Sequence, residues 1–176
     1  MNKPLKSSAL NYGLYLGLTL IAVTTIIYAF NLELFSNWWL GIILFLVIIG
    51  FGVVSAAKAK SLNNGFLSFK EGFSAYFITV AVGAILSGIV SVILFNVIDP
   101  DAAQFLNEKA IENAQAMMEK FGAPQAEIDK AITKMENESQ FTIGKVLQST
   151  AIQLIFYAVI GLIVGLIMKK NDPNLE

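Results

Sequence analysis

The sequence predicts an all-α polytopic membrane protein, with four transmembrane helices and an extracytoplasmic amphipathic helical hairpin between the third and fourth. Three observations predict it. The 176-residue chain is 56% hydrophobic and 14% charged, with a mean hydropathy of +0.66; a soluble chain carries about 25% charged residues, so this one lacks the polar surface that water requires. Four apolar runs, approximately residues 9–30, 38–57, 73–95 and 146–168, meet the length of about 20 residues that a helix needs to cross a hydrocarbon layer about 30 Å thick. Between the last two lies a polar, charged stretch, approximately residues 99–140. Residues 1–176 read as a single membrane domain.

The first run follows Lys3 and Lys6, as a secretory signal would. Its apolar core is too long for a signal and no small-x-small cleavage site follows, so it is expected to remain as a helix. Trp38 and Trp39 open the second run, where amphipathic rings favour the lipid boundary. The third contains "VAVGAILSGIVSVILF", which is strand-like in water, but a lone strand leaves its amides unmet in lipid, and helix is expected. The polar insert starts at Asp99-Pro100, a cap followed by a proline suited to the first turn, and "FGAP" at residues 121–124 divides it into two helices. In the first of these, Ala103, Leu106, Ala110, Ala114, Met117 and Phe121 share a stripe, with Ile111 and Met118 at its margin; in the second, Ile128, Ala131, Ile132 and Met135 share a face. Such a short hinge favours antiparallel neighbours. Leu106, Met117, Met118, Phe121, Ile128, Ile132 and Met135 form the candidate face for a protein partner.

Lysine placement sets the orientation. All 12 basic residues are lysine; Lys3, Lys6, Lys58, Lys60, Lys70, Lys169 and Lys170 crowd the helix ends on one side. That side is expected to be cytoplasmic, with both termini. The insert carries nine acidic residues against four lysines between Asp99 and Glu138, which disfavours rest on anionic head groups.

Inside the membrane the specific signals are small residues. Gly13 and Gly17, and again Gly161 and Gly165, form GxxxG pairs; Gly52 with Ala56 is a weaker version; and Ala75, Thr79, Gly83, Ser87 and Ser91 recur every four residues along the third helix. Such rows let helix backbones approach closely, and contacts within the chain are expected. Gln153, Tyr157, Thr19, Thr24 and Thr25 are expected to form interhelical hydrogen bonds, with a substrate path as their other use.

The composition closes several function classes. A formal charge of −1 leaves no basic surface for nucleic acid. The absence of Cys and His removes thiolate and imidazole chemistry. No phosphate loop, nucleophile elbow or metal-spaced cluster occurs; Asp99, Asp101 and Glu108 are better explained by helix capping and dipole compensation than by a hard cation. The string "NES" at residues 137–139 matches a glycosylation acceptor, a pattern common by chance. No catalytic residue, cofactor or metal is expected.

The order of the four helices, "GFLSFKEGFSAYF" before the third, "FNVIDPD" closing it, "MEKFGAPQAEIDK" in the insert and "MKKNDP" after the fourth resemble an uncharacterised family of small bacterial inner-membrane proteins, domain of unknown function family four-one-nine-nine. The resemblance implies a bacterial inner membrane and the same four-helix layout, and brings no activity. The leading expectation for function is a non-catalytic component whose hairpin and small-residue faces make protein contacts, with a partner protein or a second copy, in the bacterial envelope. The alternative is a small transporter or channel using the small-residue face of the third helix and the Gln153 face of the fourth.

Overall fold

The structure is a computed structural model that describes residue 1, residues 3–137 and residues 140–171. Six α-helices follow in order: α1 (Lys3–Phe30), α2 (Trp38–Leu62), α3 (Phe69–Ile93, continued by a π-helical turn, Leu94–Ile98), α4 (Pro100–Lys120), α5 (Gln125–Asn137) and α6 (Ile143–Met168). Glu138 and Ser139 of the acceptor-like string, and Asp172 and Pro173 of the closing "MKKNDP", lie outside the described residues.

Four helices, α1, α2, α3 with its π turn, and α6, are long and apolar enough to cross a membrane. Their outer faces show why: Leu18, Ile26, Leu46, Ile89, Ile155 and Leu166 are all exposed, and a helix that is apolar all round needs an apolar surround. These helices also run beyond the apolar windows, because hydropathy marks the part that suits lipid, whereas caps mark where the helix ends. Ser68 and Glu71 close a capping box, with Glu71 N–H donating to Ser68 Oγ at 3.3 Å and Ser68 N–H to Glu71 Oε2 at 3.1 Å. α3 therefore starts at Phe69 rather than near residue 73. At the other boundary, α2 continues to Leu62 and stops where Asn64 (φ 56°) and Gly65 (φ 83°) turn left-handed, and Gly65 N–H donates back to Lys60 O at 2.9 Å.

α3 is the hub, packing against α1, α2 and α6; among the described residues α1 and α6 do not touch. At the end that carries both termini, Leu67 and Lys170 exchange backbone hydrogen bonds of 2.9 and 2.8 Å, and Leu67 is fully buried. At the opposite end α4 lies on the bundle. Its first turns bury Ala102, Ala103 and Leu106 with Leu94 and Phe95, against Leu32 and Phe35 from the turn between α1 and α2. α5 packs on α4 after a left-handed Gly122 (φ 73°).

Candidate functional site

The half of the bundle nearer the termini is closed by glycines meeting large side chains. A methyl group on Gly52 of α2 would fall 2.5 Å from the Tyr76 ring, and one on Gly161 of α6 would fall 2.9 Å from the same ring. Tyr76 thus fills the space where α2, α3 and α6 come together, and only glycine on both sides leaves room for it. Gly13 sits as tightly on Val82, Gly17 on Leu86 and Gly83 on Leu16, and Gly165 is somewhat looser, at 3.1 Å from the Phe73 backbone and 3.2 Å from the Phe69 ring. Ala56 and Ala75 are fully buried here. Thr79 Oγ1 lies 3.0 Å from Ala9 O, 2.7 Å from Ser55 Oγ and 2.9 Å from Ala75 O; this knot joins α1, α2 and α3 and satisfies the buried hydroxyls. Tyr76 Oη alone is buried without a partner among the described residues.

Toward α4 the same helices part. Beyond Phe45, which stacks on Tyr157 at 5.9 Å, a cleft of about 930 Å³ opens between α1, α2, α3 and α6, with Leu106, Ala110 and Asn113 of α4 at its mouth. Into it go Thr24, Ser87, Ser91, Thr150 and Gln153, beside Leu20, Leu44 and Ile48. The lining contains no Asp, Glu or Lys. The last two members of the α3 row, Ser87 and Ser91, therefore line an open space instead of a helix contact. A methyl on Gly88 would meet Thr150 Oγ1 at 3.7 Å, an ordinary contact, so the helices here are not pressed together as they are around Tyr76.

The expected interhelical hydrogen bonds of Gln153, Tyr157, Thr19, Thr24 and Thr25 do not form. Thr19 and Thr25 donate to carbonyls of their own helix, Tyr15 O and Ile21 O, both at 2.8 Å. No protein partner within hydrogen-bonding distance meets Thr24, Gln153 or Tyr157, and Ser87, Ser91 and Thr150 are equally unpartnered, among the described residues. The physical reason is the divergence of the helices, which leaves these groups facing the cleft instead of one another. Gln153 lies ten residues into α6, about 15 Å along the helix axis. Gln153 is exposed on the cleft; an amide left unmet in an apolar medium costs on the order of 2–7 kcal/mol, and the cleft gives water or a ligand room to meet it.

The roof is held by specific bonds that the sequence did not advertise. Asp99 Oδ1 accepts from Ala102 N–H at 3.0 Å and Oδ2 from Tyr28 Oη at 2.8 Å. The Ala102 N–H and then the Tyr28 hydroxyl hold the Asp99 carboxyl below the usual carboxylate range. Asn107, buried, donates to Met135 O at 3.4 Å and accepts from Gln140 N–H at 3.3 Å, tying α4 to the end of α5. The candidate partner face is divided by this docking. Leu106 and Ile128 are buried inside the chain and so leave that face; Met118, Ile132 and Met135 are half-buried; Met117 and Phe121 are 60% and 79% exposed.

Chemically, the cleft offers hydroxyls, the carboxamides of Asn113, Gln140 and Gln153, aromatic rings and aliphatic surface, which together recognise neutral hydrogen-bonding groups. Among the described residues no group of three or more His, Cys, Asp or Glu is placed to hold a metal ion. A family model described as a protein of unknown function (DUF4199) matches residues 11–170. No curated protein and no solved structure matches the chain.

Proposed function

We propose that this chain, which belongs to the DUF4199 family of proteins of unknown function, is a non-catalytic multi-pass protein of the bacterial inner membrane that carries a small uncharged solute by way of the cleft. One observation carries this reading: the hydroxyls of Thr24, Ser87, Ser91, Thr150 and Tyr157 and the Gln153 amide, all without protein partners among the described residues, line one charge-free cavity in an otherwise apolar bundle. Polar groups that face an open space without a protein partner are met by water or ligand. Both termini lie on the cytoplasmic side in this proposal, and α4 and α5 form an extracytoplasmic helical hairpin over the mouth of the cleft. The seven lysines at the terminal side support that orientation.

Stopped-flow light scattering of proteoliposomes tests it with glycerol, erythritol and urea as probes. Solute permeability above that of empty vesicles is expected, and it is expected to fall to the background in a Ser87→Val, Gln153→Leu variant. No flux for any probe contradicts the proposal.

A second reading, protein contacts in an envelope assembly, draws on Met117 and Phe121, which remain exposed at the far end of α4 on the water side of the proposed topology. A partner or second copy that cross-links to position 117 and is lost in Phe121→Ser supports it; recovery of the chain alone counts against it.

A further inference from the structure

We infer that Phe95 and Phe141 form an aromatic gate between the cleft and a second, acidic cavity on the water side, and that neutral solutes come to the cleft from water through this gate while anions are turned away. The inference rests on the reading of the cleft as a solute site. The second cavity, of about 760 Å³, lies under α4 and α5. Its charged lining is three carboxylates, Glu108, Glu112 and Glu136; Lys109 pairs with Glu112 at 2.8 Å. Phe95 and Phe141 line both cavities. Their ring centroids are 4.9 Å apart, and Phe35 meets Phe95 edge-on at 6.1 Å, so rings fill the place where the two spaces join.

The local backbone departs from α-helical geometry at this point. Phe95 sits in the π-helical turn, where Asp99 N–H donates to Leu94 O at 2.8 Å across five residues; single π turns of this kind occur frequently at functional sites. Asn96 Nδ2 donates to Phe141 O at 2.6 Å, so the two halves of the gate are tethered and a shift of the turn moves both. Carboxylates within a Debye length of about 8 Å repel an anion. A cation passes them but then meets a cleft without a counter-charge, where an unpaired charge is costly. Small uncharged molecules carrying hydroxyl or amide groups pass both filters.

Access to a single thiol reads this directly. In the natural chain, which contains no Cys, Ser87→Cys is reacted in proteoliposomes with neutral, cationic and anionic methanethiosulfonates of similar size. The expected order is neutral fastest, then cationic, with anionic slowest, and the preference for cation over anion shrinks at high salt. Replacing Glu108, Glu112 and Glu136 with Gln is expected to erase the charge preference and leave the neutral rate unchanged. Phe141→Leu is expected to raise all three rates several-fold, and Phe141→Trp to lower them. Labelling at rates indifferent to Phe141 and to the three carboxylates overturns the gate but leaves the solute cleft standing, with access between α2 and α6 instead. No labelling of the Ser87→Cys variant by any reagent, together with no solute flux, overturns both.

Discussion

The two halves of the bundle use the same residue types to opposite ends. Around Tyr76, Gly52 and Gly161 accept one ring from two sides, and Thr79 and Ser55 satisfy each other and nearby carbonyls. Two turns further along the same face of α3, Ser87 and Ser91 meet no protein partner and line a space of about 930 Å³. A row of small residues is therefore permission for close approach and not a command. It closes where a facing side chain fills the groove and opens where the neighbouring helices diverge.

That contrast can be broken most forcefully at Gly52. Gly52→Ala forces a methyl into the Tyr76 ring and is expected to cost about 1–3 kcal/mol, the range for overpacking a filled core. Gly41→Ala, beside the cleft with nothing within 4 Å, is expected to cost nothing measurable. SDS titration of the detergent-solubilised protein, followed by circular dichroism, separates the two; equal losses would mean that the closed half is not closed by glycine. A smaller effect, about 1 kcal/mol, is expected for Thr79→Val, which breaks a hydrogen bond shared by three helices. Ser87→Val and Ser91→Val, in the same assay, are expected to leave stability unchanged while lowering solute flux.

The mildest change concerns the roof. Because the Asp99 carboxyl is held below its ordinary value of 3.8 by the Ala102 N–H and the Tyr28 hydroxyl, the stability it contributes is present above that pH and fades as the pH falls through the lower, folded-state value. Acidification is expected to loosen α4 from the bundle, seen as faster amide exchange in residues 100–107. Tyr28→Phe is expected to move that loosening to higher pH. An unchanged exchange profile in Tyr28→Phe would remove the bond from the roof's support.

Much of this was legible in residue order, and the exceptions have physical causes. Hydropathy located four long apolar helices, and Asp99-Pro100 and Gly122 marked the bounds of α4, because these signals are local. The capping box at Ser68 and Glu71 is equally local, but its polar residues lie outside the apolar window that starts at Phe73. The junction at Tyr76 is of another kind: its glycines are 24 residues before it and 85 after it, and nothing in either spacing says that one ring fills both. The same holds for Thr79 with Ser55 and for Tyr28 with Asp99, whose partners are brought together only by the fold. Ser87, Ser91 and Gln153 were visible as polar residues in apolar runs. That they share one cleft depends on where α2 and α6 part, a tertiary property.

The most direct measurement is a thiol scan along one face of α3 in proteoliposomes, with Cys placed singly at Ala75, Thr79, Ser87 and Ser91 and probed by a small neutral water-soluble reagent. A step is predicted: no reaction at 75 and 79, full reaction at 87 and 91. Four equally silent positions would contradict an open outer half, and four equally reactive ones would contradict a closed inner half.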